Sequence, residues 1–460
     1  MNKPPHRLAK RLALTLTLAA ALAPAQAQSN EELLKELRAL KARINQLEER
    51  LKANEQSAAE KPAGMTAQQQ QDFNRIAIKT EALEDNQESA GFKGLKISGY
   101  MEPAYVANRA QNRAGFQFIN NVSSDGYNYD NSYLGTAVLD FLKETDSGTR
   151  YHLVLSPNRG TDSVIGNGGI VQEATVSIPL GDLQTRFIAG HTPDWSGYEM
   201  LQPTLNKLLT HNLLFDFTLP TAYTGAGLEL TRGKWLTKVM LANMNASELA
   251  PGQKSPVLAY RVDYAKGEFQ GFGFAGVHGK AANPVGGTAA TTLHLLEADA
   301  YFIRGDLTLQ GQVSYGRQAK ASITPDPDTG ALRTAQWWGV SALGAYKLTP
   351  RFEVVARADY LNNHKNGGGL LGYGSDARNG IGPALLGRDA QGGLVLGDNP
   401  SRGANRMALA LGANYAYNLA TTFKLEYRLD RADQTVFEYV TDGSMRKQNS
   451  VLGTSVVVKF

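Results

Sequence analysis

From about Leu95 to Phe460, large apolar side chains recur at every second position. Four segments carry the pattern plainly. In 351–360, Phe352, Val354, Ala356, Ala358 and Tyr360 share one parity, with Arg351, Glu353, Arg357 and Asp359 on the other. In 422–430, Phe423, Leu425, Tyr427 and Leu429 oppose Lys424, Glu426, Arg428 and Asp430. Segments 407–417 and 307–315 repeat the scheme. A period of two predicts β-strands with one greasy and one polar face. No charge falls on the greasy face of these four segments. At the midplane of a bilayer such a charge costs about 2–4 kcal/mol. The last segment, 447–460, alternates in the same way and ends on Phe460.

The connections between these segments alternate short and long. Short ones fall at 143–148, 179–182, 232–234, 266–268, 304–306, 348–351 and 418–420. Long ones fall at 108–132, 157–170, 191–222, 244–256, 279–292, 317–333, 362–404 and 431–446. Tight turns at one end and long loops at the other predict an all-β fold, a transmembrane antiparallel barrel of about 16 strands over residues 92–460. The strand that ends at Phe460 is expected to close the barrel against the strand beginning near Leu95.

The period changes upstream of the barrel. Leu33, Leu37, Leu40, Ile44, Leu47 and Leu51 follow a four-three spacing, which predicts a coiled coil over 28–55. Glu36 and Arg43 would face Lys41 and Glu48 of a neighbouring parallel chain, favouring self-association as a trimer, although a single amphipathic helix satisfies the same spacing. Residues 56–91 read as a polar linker, broken at 61–64 and with a weak second helix around Phe73, Ile76 and Leu83. Residues 1–27 have the form of a signal peptide: Lys3, Arg7, Lys10 and Arg11, an apolar run from Leu12 to Ala23, and Ala25-Gln26-Ala27 as the cleavage site. No later run is long enough for a membrane helix.

Composition narrows the chemistry. The chain has no cysteine, so disulfides, thiolate metal sites and a cysteine nucleophile are excluded. Its formal net charge is +4, and the four bases of the leader account for it. A mature chain near neutrality gives no reason to expect nucleic acid. The run Gly271-Phe-Gly-Phe-Ala-Gly276 fits a dinucleotide fingerprint, but it lies in an alternating strand with no helix behind it. Asp326-Pro-Asp-Thr-Gly330 lacks a calcium ligand series. The histidines show no paired metal spacing. No catalytic constellation is legible, so no cofactor, metal or enzymatic mechanism is expected.

The loop 191–222 differs from the other long ones. It carries Leu201, Leu205, Leu208, Leu209, Leu213, Leu214, Phe215 and Phe217. An exposed loop would not hold so many large apolar groups, which predicts that it folds inward against the barrel wall. The stretch Glu173-Ala174-Thr-Val176-Ser-Ile178-Pro179-Leu180, then Ala189-Gly190, Gly197-Tyr198-Glu199, Leu214-Phe215 and Pro220-Thr-Ala-Tyr-Thr224-Gly225, resembles the OmpL-like outer-membrane porin family. The family often has a basic residue after Ala-Gly, where this chain has His191. The resemblance implies a pore in the bacterial outer membrane, with lipids around it and small hydrophilic solutes or ions inside, and names no solute. The terminal Phe460 resembles the signal recognised by the barrel-assembly machinery.

Parity assigns the lumen-facing charges: Glu173, Arg186, Glu229, Lys238, Arg261, Asp263, Glu297, Asp299, Glu353, Arg357, Asp359, Lys424, Glu426 and Arg428. The candidate constriction sets Asp194, Glu199 and Asp216 on the loop against Arg186, Arg261, Arg357 and Arg428 on the wall. Wall salt bridges that satisfy a polar interior are the competing role for each of them. Near-neutrality argues against strong selectivity for one sign of charge. The expectation is a passive diffusion channel. A solute-specific channel, a plugged structural barrel and an outer-membrane enzyme are the alternatives.

Overall fold

The computed structural model describes residues 67–89, 91–119, 134–156, 170–201, 204–249, 253–283, 289–322, 325–326, 328–365 and 380–460. The leader and the heptad residues Leu33, Leu37, Leu40, Ile44, Leu47 and Leu51 lie outside them. The chain divides into two units, 1–90 and 91–460. In the first, helix α1 (Ala67–Ser89) occupies most of the stretch expected as linker. Its apolar residues Phe73, Ile76 and Ile78 are all exposed.

The second unit is one continuous antiparallel sheet closed on itself. Its staves are β1 (Leu95–Met101) with β2 (Ala104–Asn108), β3 (Arg113–Gln117) with β4 (Ala137–Glu144), β5 (Arg150–Leu155), β6 (Val171–Leu180), β7 (Asp182–Pro193), β8 (Ala222–Arg232), β9 (Trp235–Met244), β10 (Val257–Gly267), β11 (Gln270–Ala281), β12 (Thr291–Arg304), β13 (Leu307–Gln318), β14 (Ala335–Lys347), β15 (Phe352–Lys365), β18 (Arg406–Ala416), β19 (Thr421–Ala432) and β22 (Gln448–Lys459). Two small hairpins, β16–β17 (Leu385–Arg388, Leu394–Leu396) and β20–β21 (Phe437–Glu438, Met445–Arg446), decorate the loops. Since β1–β2 and β3–β4 each occupy one position in the sheet, the 18 strands make a barrel of 16 staves.

Closure is made by the last strand. Lys459 and Val458 pair with Tyr100 and Met101, and Val451 to Ser455 pair with β2. The amide of Phe460 donates to Gly99 O at 3.0 Å, and the amide of Gly99 donates to Phe460 O at 3.2 Å. A Cβ on Gly99 would stand 2.9 Å from the Phe460 ring, so the glycine makes room for it. The first connection departs from expectation. A tight turn after Asn108 starts β3 at Arg113, and the excursion falls within the second stave, between β3 and β4.

The two faces separate as the alternation requires. On β19, Phe423, Leu425, Tyr427 and Leu429 are exposed, while Lys424, Glu426, Arg428 and Asp430 are buried. On β15, Val354, Ala356 and Ala358 point outward, and Glu353, Arg357 and Asp359 point inward. The outward side chains form an apolar belt edged by aromatic contacts. At the short-turn end Trp235, Tyr264 and Phe272 meet, with centroids 4.8 and 5.3 Å apart, and at the other end Trp338 meets Tyr360 at 5.5 Å. The adjacent Trp337 faces inward and is 1% exposed, so the two tryptophans have different surroundings.

The glycines of 271–276 serve packing. Tyr301 lies over Gly271, Arg261 and Asp263 lie beside Gly273, and Tyr260 covers Gly276. A fingerprint in sequence is a set of side-chain seats in the sheet.

Candidate functional site

The segment after β7 enters the barrel and crosses to its far wall. Pro193 ends the strand, and Asp194 holds the entry: it accepts from the Tyr223 hydroxyl at 2.6 Å, from the Ser196 amide at 2.9 Å and from Ser196 Oγ at 3.1 Å. Halfway along, Asn212 caps a short helix α2 (Leu213–Phe217) by accepting from the amides of Leu214 and Phe215. Leu208, Leu209, Leu213, Leu214 and Leu219 are at most 3% exposed. Burying each such leucine is worth about 1.5–3 kcal/mol over leaving it in water.

The wall is cut to receive them. Added Cβ atoms at Gly412 and Gly453 would collide with Leu208 and Leu209, and one at Gly339 would sit 2.9 Å from Leu214. These glycines lie at inward positions of β18, β22 and β14. Only a residue without a side chain leaves room for the loop there.

Charges on the wall then bind the loop's backbone. Arg357 donates to Glu199 Oε1 at 2.7 Å, to Thr210 O at 2.6 Å and to His211 O at 2.9 Å. Arg428 donates to His211 O at 2.6 Å. Glu426 accepts from the amides of Leu209 and Thr210 at 2.7 and 2.8 Å and from the Thr210 hydroxyl. The amide of Asn212 donates to Glu199 Oε2 at 2.6 Å. Lys424 reaches Asn206 O at 2.8 Å, and Lys207 pairs with Glu353 at 2.7 Å. Behind them Asp430 joins Arg428 and Arg406 at 3.0 and 2.8 Å. These are charge-assisted bonds in a water-poor setting, with Arg357, Arg428, Arg406 and Asp430 at 0% side-chain exposure. The imidazole of His211, at the centre of the clasp, stacks on Phe215 at 4.0 Å. Burial pushes its pKa down to about 3, so it is neutral, and its ring meets Met200 O at 3.0 Å.

The candidate residues therefore part company. Glu199, Arg357 and Arg428 converge on the loop, and the arginines spend their donors on its backbone. Asp194 anchors the loop entry. Asp216 sits in the first turn of α2. Arg261 belongs to a separate group on β10–β12, with Asp263 at 2.7 Å, Asp299 at 2.8 Å and Glu297 at 3.7 Å. Arg186 lies low on β7 and donates to Ser177 Oγ and Gly148 O at 2.7 and 2.6 Å. Arg406 and Asp430, absent from the candidate set, complete the clasp. Both share the inward parity of Arg428, which was their only signal in the sequence.

The opposite wall is wetter. Asp140, His152, Glu173, Glu229, Lys238 and Asp263 keep 19–31% of their side-chain surface accessible. His152 bridges Asp140 and Glu173, with a ring nitrogen 3.0 Å from each carboxylate. Lys238 pairs with Glu229 at 3.3 Å. These six accessible side chains lie on β4, β5, β6, β8, β9 and β10.

A closed 16-stave antiparallel barrel narrowed by an inward loop defines a porin-like fold. The chain belongs to the DUF3138 family, described as a protein of unknown function, which matches residues 56–250 and 261–460. This match does not confirm the OmpL-like family. No curated protein matches. Among solved structures, an anion-selective porin from Comamonas acidovorans is similar at 10% identity and a TM-score of 0.51, over 80% of this chain and 99% of that one. The outer membrane channel DcaP of Acinetobacter baumannii is similar at 12% identity and a TM-score of 0.50, over 80% and 97%. At these identities the likeness is one of fold.

Proposed function

We propose that the protein is a passive outer-membrane channel for small hydrophilic solutes or ions, with its bore set by the loop 194–221. The observation that carries this is the asymmetry of the inner wall. Charges on β15, β18 and β19 are consumed in holding the loop, while Asp140, His152, Glu173, Glu229, Lys238 and Asp263 stay partly accessible to water. A polar interior with accessible carboxylates and bases on one side lets hydrated solutes pass along a gradient. The uncharged apolar belt is the surface expected against lipid. The accessible lining mixes both signs, so selectivity between anions and cations is expected to be weak.

Planar-bilayer recording with the mature protein tests the reading. Stepwise ohmic conductance with a small reversal potential in a salt gradient is the expected result. A bilayer that stays sealed at all voltages would refute it. The heptads at 28–55 further suggest a trimer with a periplasmic coiled coil. Cross-linking of the mature protein should give trimers, and a variant lacking 29–55 should lose them; an unchanged oligomer would assign assembly to the barrel.

A further inference from the structure

Outside the lumen, one row of side chains crosses five strands on the outward face. His278 on β11 opposes His294 on β12, His294 opposes Arg317 on β13, Arg317 opposes Gln336 on β14, and Gln336 opposes Lys365 on β15. The row beneath it contains Leu296, Tyr315, Trp338 and Asn362, and the next contains Phe274, Val313, Val340 and Tyr360. The polar row therefore begins where the apolar belt and its aromatic edge stop, at the long-loop end of the barrel.

A cavity of about 590 Å³ lies at this level, and its walls include Tyr315, Arg317, Arg333, Lys365 and Arg402. Its charge is unbalanced. Arg402 pairs with Asp433 at 2.6 Å, and Arg333 has Asp326 at 3.7 Å. Among the described residues, no carboxylate comes within 4.0 Å of Arg317 or Lys365. Nε and Nη2 of Arg333 are shielded from solvent and have no hydrogen-bond partner among the described residues.

We propose that this cavity binds a phosphate-bearing glycolipid headgroup of the surrounding leaflet. The proposal rests on the membrane reading above and adds a ligand to the barrel's outer wall. Guanidinium forks match phosphate oxygens in pairs, and three arginines line the space. The volume suits a phosphorylated sugar, well beyond what a lone phosphate needs. Tyr315 belongs both to the cavity and to the aromatic edge, so a headgroup seated there continues downward over Val313 and Val340 as acyl chain. That continuity favours a lipid over a soluble anion.

The test uses full-length protein in detergent, native mass spectrometry and thermal melting, with three probes: diphosphorylated lipid A, the same lipid with its phosphates removed, and inorganic phosphate. The wild type should retain the phosphorylated lipid and melt higher with it, and should hold the dephosphorylated form about tenfold more weakly. The double variant Arg317→Gln, Arg333→Gln should lose that discrimination while keeping wild-type conductance, since neither residue belongs to the loop clasp. Equal retention of the two lipids by wild type overturns the proposal, whatever the variant does. Inorganic phosphate that raises the melting temperature as much as the lipid overturns it too, and gives the cavity to a soluble anion. Conductance in bilayers free of lipid A checks the channel reading independently.

Discussion

Arg357 on β15 and Glu199 on the inner loop meet at 2.7 Å with 0% and 3% of their side chains exposed. Opposite charges this dry hold each other in place, and loss of one leaves the other buried without a counter-charge. Such a loss costs about 3–5 kcal/mol. Arg357→Ala is therefore expected to release the loop and raise single-channel conductance, with greater current noise and a lower melting temperature. Arg357→Lys keeps the charge but loses the fork that also reaches Thr210 and His211, so it should fall between. Unchanged conductance in Arg357→Ala would mean the loop is held without the clasp.

Gly412 and Gly453 offer a test by shape alone. Valine at either position fills the seat of Leu208 or Leu209. Overpacking of this kind costs about 1–3 kcal/mol and should push the loop off the wall. Conductance should change while the sheet signal in circular dichroism stays. Gly311→Ala is the control, because an added Cβ there meets nothing closer than 3.7 Å.

His211 sets a pH dependence. Its docked pKa is lowered to about 3 by burial, against an ordinary value of 6.5. The undocked loop therefore binds the proton more readily, and docking weakens as pH falls from 6.5 toward 3, with no effect above 6.5. The expected readout is a conductance that rises or becomes noisier between pH 6.5 and 5 in wild type. His211→Gln should remove that part of the response. Identical pH profiles for the two would show that His211 is not protonated on undocking.

Phe460 and Gly99 make the barrel seam, through paired backbone bonds and a ring lying over a glycine. Gly99→Val should displace the ring and slow assembly. Pulse-chase heat-modifiability would show more unfolded monomer than in wild type. Phe460→Ala should have the same direction of effect, and Phe460→Tyr little.

The alternation of Phe423 through Asp430 determined, without any structure, which side chains face inward and that the sheet closes into a barrel. Inside-outside parity is a property of each strand alone, and the spacing of turns counts the strands. Leucine-rich composition likewise announced that the loop at 191–222 turns inward. What lines the water and what holds the loop were decided only by the tertiary structure. Glu199 and Arg357 are 158 residues apart, and His278 and His294 are 16 apart yet 3.1 Å from Nδ1 to Nδ1. Such meetings depend on strand register and on the path of one loop across the lumen. Two arginines of the same parity, Arg261 and Arg357, read alike in sequence, and only the side on which the loop lands separates their surroundings.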